Sequence, residues 1–383
     1  MEEEFTPSFQ IVRMKKGIVL AYFCLITAWG YCQGGKTRIT WDYSSRKFVN
    51  TGVYARVKKL AGGDLCLVYS QGPAIWIRKS TDEGRSWLPA IKVSEDERYN
   101  YTNSELLQLQ NGWLLYTWNA RPREENRYEY LIMGAISKDQ GETWEAEQTI
   151  YQAGKNFHNG CWEPFALQLP DGEIQLYFAN ERPYPQSYEQ EITLLRSFSN
   201  GILWSLPQTV SFRKGKRDGM PVAVRLQSGE IALSIEDNGI AGTFKPVIVR
   251  TDDNWKGGTV RADSPQREHA LARPYQLPDS VYAGAPYLIQ LKNGATLLAI
   301  QSSENRNGTT EKYANLRVYV GDENARNFSS PTTPYPALPP QVHALWNSLC
   351  QINDSTVMAV SSLGGLEQEN GIWTVTGKIT TSE

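Results

Sequence analysis

The sequence has few of the residues that mark metal, redox or nucleic-acid-binding proteins. Its 383 residues include only 5 cysteines and 3 histidines, and the net charge is −2. The cysteines are widely spaced and the histidines are scattered, so no zinc or redox motif is present. A balanced charge gives no electrostatic footprint for nucleic acid or for an anionic membrane. We therefore expect no metal or other cofactor and no nucleic-acid partner.

Long apolar runs are also scarce, and the clearest one lies near the N terminus. Met14-Lys15-Lys16 is a basic start, the apolar run covers residues 17–29, and small residues precede a cleavage site after Gly30. This pattern predicts a signal peptide in residues 1–30, with residues 1–13 as an upstream extension. The run is too short for a good membrane span. We expect export to the periplasm or the extracellular space; the bulky Tyr31 argues against lipid attachment at Cys32.

An internal repeat fills the rest of the chain. An apolar strand, a Gly or Asn/Asp turn and a second apolar strand occur six times, with turns marked by Gly63, Gly112, Gly172, Gly229, Gly294 and Asp354. The steps between these markers are 49, 60, 57, 65 and 60 residues. This period fits a four-stranded propeller blade with one or two long loops. We therefore predict one all-β domain over residues 31–383, a six-bladed β-propeller, and expect a monomer.

A second repeat runs out of phase with the first. Residues 80–87 (STDEGRSW) and 137–144 (SKDQGETW) match Ser-x-Asp-x-Gly-x-Ser/Thr-Trp, and weaker copies cover residues 197–204, 251–255 and 321–328. The Asp can bond backbone N–H groups of a turn, Gly supplies the unusual φ, and Trp fills a gap between strands. We therefore assign the Asp residues a structural role rather than a catalytic one.

These Asp-boxes, together with the six hairpins, resemble the sialidase-like β-propeller superfamily over residues 36–383. The resemblance implies inner hairpins around a central axis, with every turn at one end and the strand starts and ends at the other. A strand from Lys36 to Asp42 would help to close the ring.

The end of the propeller opposite the hairpin turns collects the unusual polar and aromatic residues; we call it the mouth. A carboxylate among apolar neighbours is costly unless it is used or paired, which singles out Glu163 between Trp162 and Pro164. Glu163 starts the third hairpin and Glu236 ends the fourth, so the two glutamates should face each other in adjacent blades. We predict that they form a catalytic pair for glycosidic cleavage, roughly 5–9 Å apart. The substrate-binding candidates at the same end are Arg56, Asn103, Trp162, Glu181, Asp218, Tyr282, Tyr287 and Trp346.

Within the superfamily, the segments Tyr54-Ala-Arg-Val57, Gly160-Cys-Trp-Glu-Pro-Phe165 and Asp218-Gly-Met-Pro221 are similar to those of exo-α-1,5-L-arabinanases, glycoside hydrolase family ninety-three. By this resemblance Glu163 is the nucleophile and Glu236 the acid/base of a retaining exo-enzyme acting on arabinan. A supporting tyrosine would be Tyr282, Tyr287 or Tyr335. We also expect an arginine such as Arg56 beside Glu163, because a nucleophile must be ionised.

Two alternatives stay open. Sialidases share the fold, but they need an acidic Asp in the first blade, where residues 73–79 (PAIWIRK) contain none, and a tyrosine where this chain has Trp346. Asp-box propellers also serve as non-catalytic glycan-binding or assembly modules. In that case the carboxylates of the mouth would only bind hydroxyl groups, and no pair with unequal environments is required.

Overall fold

Each of the six predicted hairpins forms the two inner strands of a separate sheet. The computed structural model describes residues 36–382, and these residues form six antiparallel sheets of four strands each. The six-bladed β-propeller prediction is therefore confirmed. The predicted signal peptide and Cys32 lie outside the described residues.

The strands follow one another outwards from the central axis in each blade. In chain order they are β1 (Lys36–Asn50), β2 (Val53–Lys59), β3 (Leu65–Gln71), β4 (Ala74–Ser80), β5 (Ile91–Glu95), β6 (Tyr99–Gln108), β7 (Leu114–Pro122), β8 (Leu131–Ser137), β9 (Glu145–Gln152), β10 (Cys161–Gln168), β11 (Ile174–Asn180) and β12 (Glu191–Ser197). The remaining strands are β13 (Gln208–Ser211), β14 (Asp218–Arg225), β15 (Ile231–Asp237), β16 (Lys245–Thr251), β17 (Arg267–His269), β18 (Ala283–Gln290), β19 (Thr296–Ser302), β20 (Asn315–Gly321), β21 (Ser329–Thr332), β22 (His343–Asn353), β23 (Thr356–Gly364) and β24 (Gly371–Ser382). Three short 3-10 helices lie in loops, at Phe157–Asn159, Arg273–Tyr275 and Glu311–Tyr313.

The ring closes by pairing the two ends of the described chain. β1 is the outermost strand of the sixth blade and runs antiparallel to β24, from Lys36 opposite Ser382 to Asn50 opposite Ile372. The predicted closing strand over Lys36–Asp42 is confirmed and continues to Asn50. Closure of this kind ties the last blade to the first segment of the fold and protects a sheet edge.

The Asp-boxes form the connections between the two outer strands of a blade. Asp82 Oδ1 accepts a hydrogen bond from the backbone N–H of Ser86 at 2.8 Å, and Asp139 Oδ1 accepts one from Thr143 at 2.9 Å. Hydrogen bonds from the Ser86 hydroxyl and from the Ser86 backbone N–H hold the pKa of Asp82 down, at about 2. Both side chains are far from the inner strands in sequence and serve the turn, in agreement with a structural role.

Within the described residues, no helix is long and apolar enough to cross a membrane. Cys66, Cys161 and Cys350 are buried free thiols, and no grouping of three or more potential metal ligands occurs between residues 36 and 382.

Candidate active site

The mouth is organised by a backbone irregularity that recurs in every blade. Each innermost strand has a β-bulge near its start, and the bulged residue has a positive φ of 45–56° although it is not glycine. The six bulged residues are Tyr54, Asn103, Glu163, Met220, Ala285 and Trp346. Left-handed backbone at non-glycine residues is uncommon and costs about 1–3 kcal/mol at each position. Because the bulge occurs in all six blades, it is a regular feature of this propeller. It changes the direction of one side chain in each blade.

Glu163 occupies the bulge of the third blade. Its Oε1 lies 3.9 Å from Nη2 of Arg121, and the backbone N–H of Met220 faces its carboxyl group. Burial raises the pKa of Glu163 to about 7, while Arg121 and the Met220 N–H act in the opposite direction.

Glu236 comes from the second strand of the fourth blade. Its Oε2 accepts a hydrogen bond of 2.7 Å from the backbone N–H of Ala285, the bulged residue of the fifth blade. Burial raises the pKa of Glu236 to about 8, the Ala285 N–H opposes this, and the charge of Glu163 raises it further. The two glutamates therefore have unequal environments.

One dipeptide brings the two carboxyl groups together. Glu163 faces the N–H of Met220, and Oε1 of Glu236 would lie 3.2 Å from a Cβ added to the preceding residue, Gly219. Because both groups lie against the Gly219–Met220 segment, their separation is compatible with the roughly 5–9.5 Å found between the two carboxyls of glycosidases. The structure thus brings together the two residues that the sequence singled out as a pair.

Arg121 is the main mouth residue that our substrate-binding prediction omitted. Its Nη2 donates to Asn103 Oδ1 at 2.6 Å and its Nε donates to Asn119 Oδ1 at 2.8 Å. The guanidinium also lies 4.8 Å from the ring centroid of Trp162. Arg121 is the penultimate residue of β7, in the sequence Trp-Asn-Ala-Arg-Pro. A polar run at the mouth end of an inner strand was the available signal.

The expectation that Arg56 accompanies Glu163 is wrong. Arg56 is only 3% exposed, and its Nη1 donates to the backbone carbonyl of Trp346 at 2.8 Å. Its Nε lies 3.7 Å from Oε2 of the buried Glu105. The Arg56 guanidinium is therefore bound to buried groups beneath the mouth and has little access to a substrate.

Tyr287 lies in the same buried cluster. Its hydroxyl oxygen accepts a hydrogen bond of 2.9 Å from Lys58 Nζ, and Lys58 lies 2.5 Å from Glu105 Oε1. This cluster joins the first, second and fifth blades near the axis. The structure places Tyr287 in the core rather than at the mouth, so a substrate contact is not supported there.

Glu181 and Asp218 are also buried rather than open to the mouth. Glu181 is 1% exposed, pairs with Arg217 and accepts a hydrogen bond of 3.1 Å from Gln190. Asp218 forms two hydrogen bonds with Arg267, at 2.5 and 2.8 Å. The structure does not support our prediction that Glu181 binds substrate, because its carboxylate is buried and pairs with Arg217. Asp218 likewise contributes to a buried ion pair next to Gly219.

Tyr282 is the candidate tyrosine that lies beside the carboxyl group of Glu236. A Cβ added to Gly284 would collide with both Glu236 Oε2 and the Tyr282 hydroxyl, so glycine keeps space for the two groups side by side. The Tyr282 hydroxyl accepts a hydrogen bond of 2.7 Å from Gln301, and burial raises its pKa well above the usual range. Its own proton is therefore available to donate. Tyr335, by contrast, is fully buried and donates to the carbonyl of Trp373 in the sixth blade.

The remaining candidates form the walls of the mouth. Trp162 is largely buried under Arg121 and packs on Tyr130, with ring centroids 4.9 Å apart. Trp346 packs on Tyr54 at 5.8 Å and remains partly exposed. Asn103 holds Arg121, as described above, so its first role is to position that guanidinium.

Comparisons with known proteins agree with this architecture. Residues 112–256 match the family model described as a BNR repeat-like domain. A search of curated protein sequences gave no significant match.

Many solved structures have the same fold. A protein of unknown function from Dyadobacter fermentans DSM 18053 is similar with a TM-score of 0.69 and 13% identity, over 89% of this chain and 99% of that one. The GH93 α-L-arabinofuranosidase of Fusarium graminearum, solved with arabinobiose, gives a TM-score of 0.62 and 20% identity over 86% of this chain and 93% of that one. The NanB sialidase from Streptococcus pneumoniae gives a TM-score of 0.59 and 13% identity, over 87% of this chain and 69% of that one. The chain thus has the six-bladed β-propeller fold of these structures, and its residues 112–256 are similar to a BNR repeat-like domain.

Proposed function

We propose that this protein is a retaining, exo-acting glycoside hydrolase that cleaves α-L-arabinofuranosyl linkages of an arabinan-type polysaccharide. The observation that carries the proposal is the pair of carboxyls from adjacent blades, Glu163 and Glu236, which face one Gly219–Met220 segment in unequal environments. Glycosidic cleavage requires one ionised and one protonated carboxyl. A module that only binds glycans has no need of that difference.

The electrostatics support a division of roles between the two glutamates. Glu163 has the lower pKa of the two and has Arg121 beside it, so it is the group that ionises first. Glu236 has the higher pKa because it is buried and faces the charge of Glu163, so it retains its proton. Glu163 is then the nucleophile and Glu236 the general acid.

The reaction proceeds in two displacements. In the first, a Glu163 oxygen attacks the anomeric carbon, the bond from that carbon to the leaving oxygen breaks, and Glu236 gives its proton to that oxygen. In the second, the Glu236 carboxylate takes a proton from water while the water oxygen attacks the anomeric carbon and the bond to Glu163 breaks. Tyr282 lies beside Glu236 and presents a neutral hydroxyl group next to that carboxyl.

The choice of an arabinofuranosyl substrate is supported by the fold shared with the Fusarium graminearum enzyme and by the segments around Glu163 and Asp218. A sialidase activity finds less support. Sialic acid carries a carboxylate, whereas Arg217 is already paired with Glu181 and Arg56 is buried among backbone carbonyls.

The test is a substrate screen of the purified protein on linear arabinan, an aryl α-L-arabinofuranoside and a sialyl substrate. We expect activity on the first two, with the product released in the retained anomeric configuration by NMR. Glu163→Gln should lower kcat by at least about 10³-fold on both substrates. Glu236→Gln should still form the covalent intermediate on Glu163 from an aryl glycoside, because a good leaving group needs no proton from residue 236. Added azide should then restore turnover.

Wild type that is inert on every glycan but binds one would make the protein a binding module. Turnover of the sialyl substrate alone would favour the sialidase alternative, and inversion of configuration would exclude Glu163 as nucleophile.

A further inference from the structure

Three aromatic rings are exposed at the mouth of the third blade and contact one another edge to face. Phe157 is 50% exposed and Tyr188 is 72% exposed, and the ring of His158 lies between them. The ring centroids are 5.7 Å apart from Phe157 to His158 and 5.0 Å apart from His158 to Tyr188. We call Phe157, His158 and Tyr188 the aromatic platform. It joins the loop before β10 to the loop after β11.

The platform is continuous with the catalytic carboxyls. The ring of Phe157 packs on Trp162 with centroids 4.9 Å apart, and Trp162 directly precedes Glu163. On the other loop, the backbone carbonyl of Tyr188 accepts a hydrogen bond of 3.3 Å from Arg217. The charge of Arg217 lowers the pKa of both Glu163 and Glu236, which places this arginine near both groups.

Both loops are anchored, so the rings are held in place before any ligand arrives. In the first loop, the Gly154 N–H donates to the carbonyl of Asn159 at 2.7 Å. In the second loop, the Tyr184 hydroxyl donates to Glu191 Oε2 at 2.6 Å, and Ser187 N–H donates to the carbonyl of Tyr184 at 3.1 Å. A preorganised surface loses little conformational entropy on binding, which favours affinity.

Gly160 allows this compact arrangement. A Cβ at that position would lie 2.5 Å from Cζ2 of Trp162, so a larger residue would push the Trp162 ring away from the loop. The close approach of ring and backbone brings Phe157 onto Trp162 and completes the path from the platform to Glu163.

We propose that the aromatic platform is an accessory sugar subsite, which stacks against a unit of the glycan chain beyond the one that is cleaved. The inference rests on the proposed function and adds a chain-length specificity to it. Aromatic rings offer flat apolar faces at little conformational cost, and these suit the C–H faces of a neutral sugar. The Phe157 and Tyr188 side chains are uncharged, so the expected ligand is a neutral glycan chain.

The experiment compares substrates of different length. Covering one ring face with a sugar removes on the order of 50 Å² of apolar surface from water, which corresponds to about 5- to 10-fold in KM per ring. We expect Tyr188→Ala and Phe157→Ala to raise KM for long linear arabino-oligosaccharides by that factor. The ratio of kcat/KM for the long oligosaccharides to that for the aryl α-L-arabinofuranoside should fall accordingly.

The matched control is Tyr43→Ala. Tyr43 is 55% exposed, like the platform residues, but it lies on β1 at the outer edge of the sixth blade. Its removal should leave the length ratio unchanged. Tyr188→Ala is the more informative platform variant, because Phe157 also packs on Trp162 and its truncation can disturb the wall of the mouth.

Failure of this inference is separable from failure of the proposed function. Active wild type with an unchanged length ratio in Tyr188→Ala would overturn the platform alone. If wild type is inactive, calorimetric titration with the same oligosaccharides decides: weaker binding by Tyr188→Ala supports the platform, and equal binding refutes it. A change in sedimentation of Tyr188→Ala without a change in sugar affinity would mean that the platform binds a second copy of the chain, which also refutes the proposal.

Discussion

Replacing Glu236 with glutamine should increase the free energy of unfolding at high pH but not at low pH. The pKa of Glu236 is about 8 in the folded protein, against 4.5 in the unfolded chain. Between pH 4.5 and about pH 8, the Glu236 carboxyl group is protonated in the folded state and ionised in the unfolded state. Stability conferred by the protonated carboxyl is therefore complete below pH 4.5 and is lost as the pH rises through about 8.

The magnitude follows from the difference between the two pKa values. At 1.36 kcal/mol per pH unit the full difference corresponds to about 5 kcal/mol, and the partial exposure of Glu236 reduces this to about 2–4 kcal/mol. Glu236→Gln keeps an oxygen to accept the Ala285 N–H and cannot ionise. We expect the variant to match wild type in stability near pH 4.5 and to exceed it by about 2–4 kcal/mol near pH 9.

The assay is urea unfolding followed by tryptophan fluorescence at several pH values, with the slope of free energy against denaturant checked for constancy. Glu367→Gln is the control, because Glu367 is an exposed glutamate in the loop before β24. It should change stability by no more than about 0.5 kcal/mol at any pH. Equal stability differences for Glu236→Gln near pH 4.5 and near pH 9 would refute the reasoning, because an isosteric effect alone has no pH dependence.

Two further predictions concern the charges around and beneath the pair. The pH profile of kcat/KM should be bell-shaped, rising as Glu163 ionises near pH 7 and falling as Glu236 ionises near pH 8. Arg121→Met should raise the pKa of Glu163, move the rising limb to higher pH and lower the rate at pH 6 by about tenfold. An unchanged rising limb in that variant would contradict the role of Arg121. Glu105→Gln should lower the free energy of unfolding by about 3–5 kcal/mol, because it leaves the buried Arg56 without its carboxylate. The control is Glu95→Gln, which removes an exposed ion pair and should cost less than about 1 kcal/mol. Equal losses in the two variants, measured by urea unfolding, would show that the buried cluster adds no stability.

Local patterns in the sequence were sufficient to predict the blades. A glycine after Gly, Asn, Asp or Ser between two apolar runs specifies a tight turn, and the five glycines that mark these turns have φ values of 86–99°. Repetition of that signal fixed the number of blades and, with it, the end at which Glu163 and Glu236 lie.

The bulges were missed, although three of them carry a sequence signal. Pro164, Pro221 and Pro286 each follow a bulged residue inside an inner strand. Because proline cannot donate to a ladder, its presence inside a strand indicates a bulge. The other three blades have no proline at that position, and their bulges follow only from the shared geometry of the ring.

What the sequence determined by itself is the fold, the mouth and the identity of its two unusual glutamates, because turn chemistry and strand alternation act between near neighbours. Only the tertiary structure decided which arginine accompanies which carboxylate. Arg56 lies close to Glu105 and Arg217 to Glu181, while Arg121 is left beside Glu163. Ion pairs between blades join residues far apart in the chain, and their choice depends on side-chain reach and burial that no local pattern records.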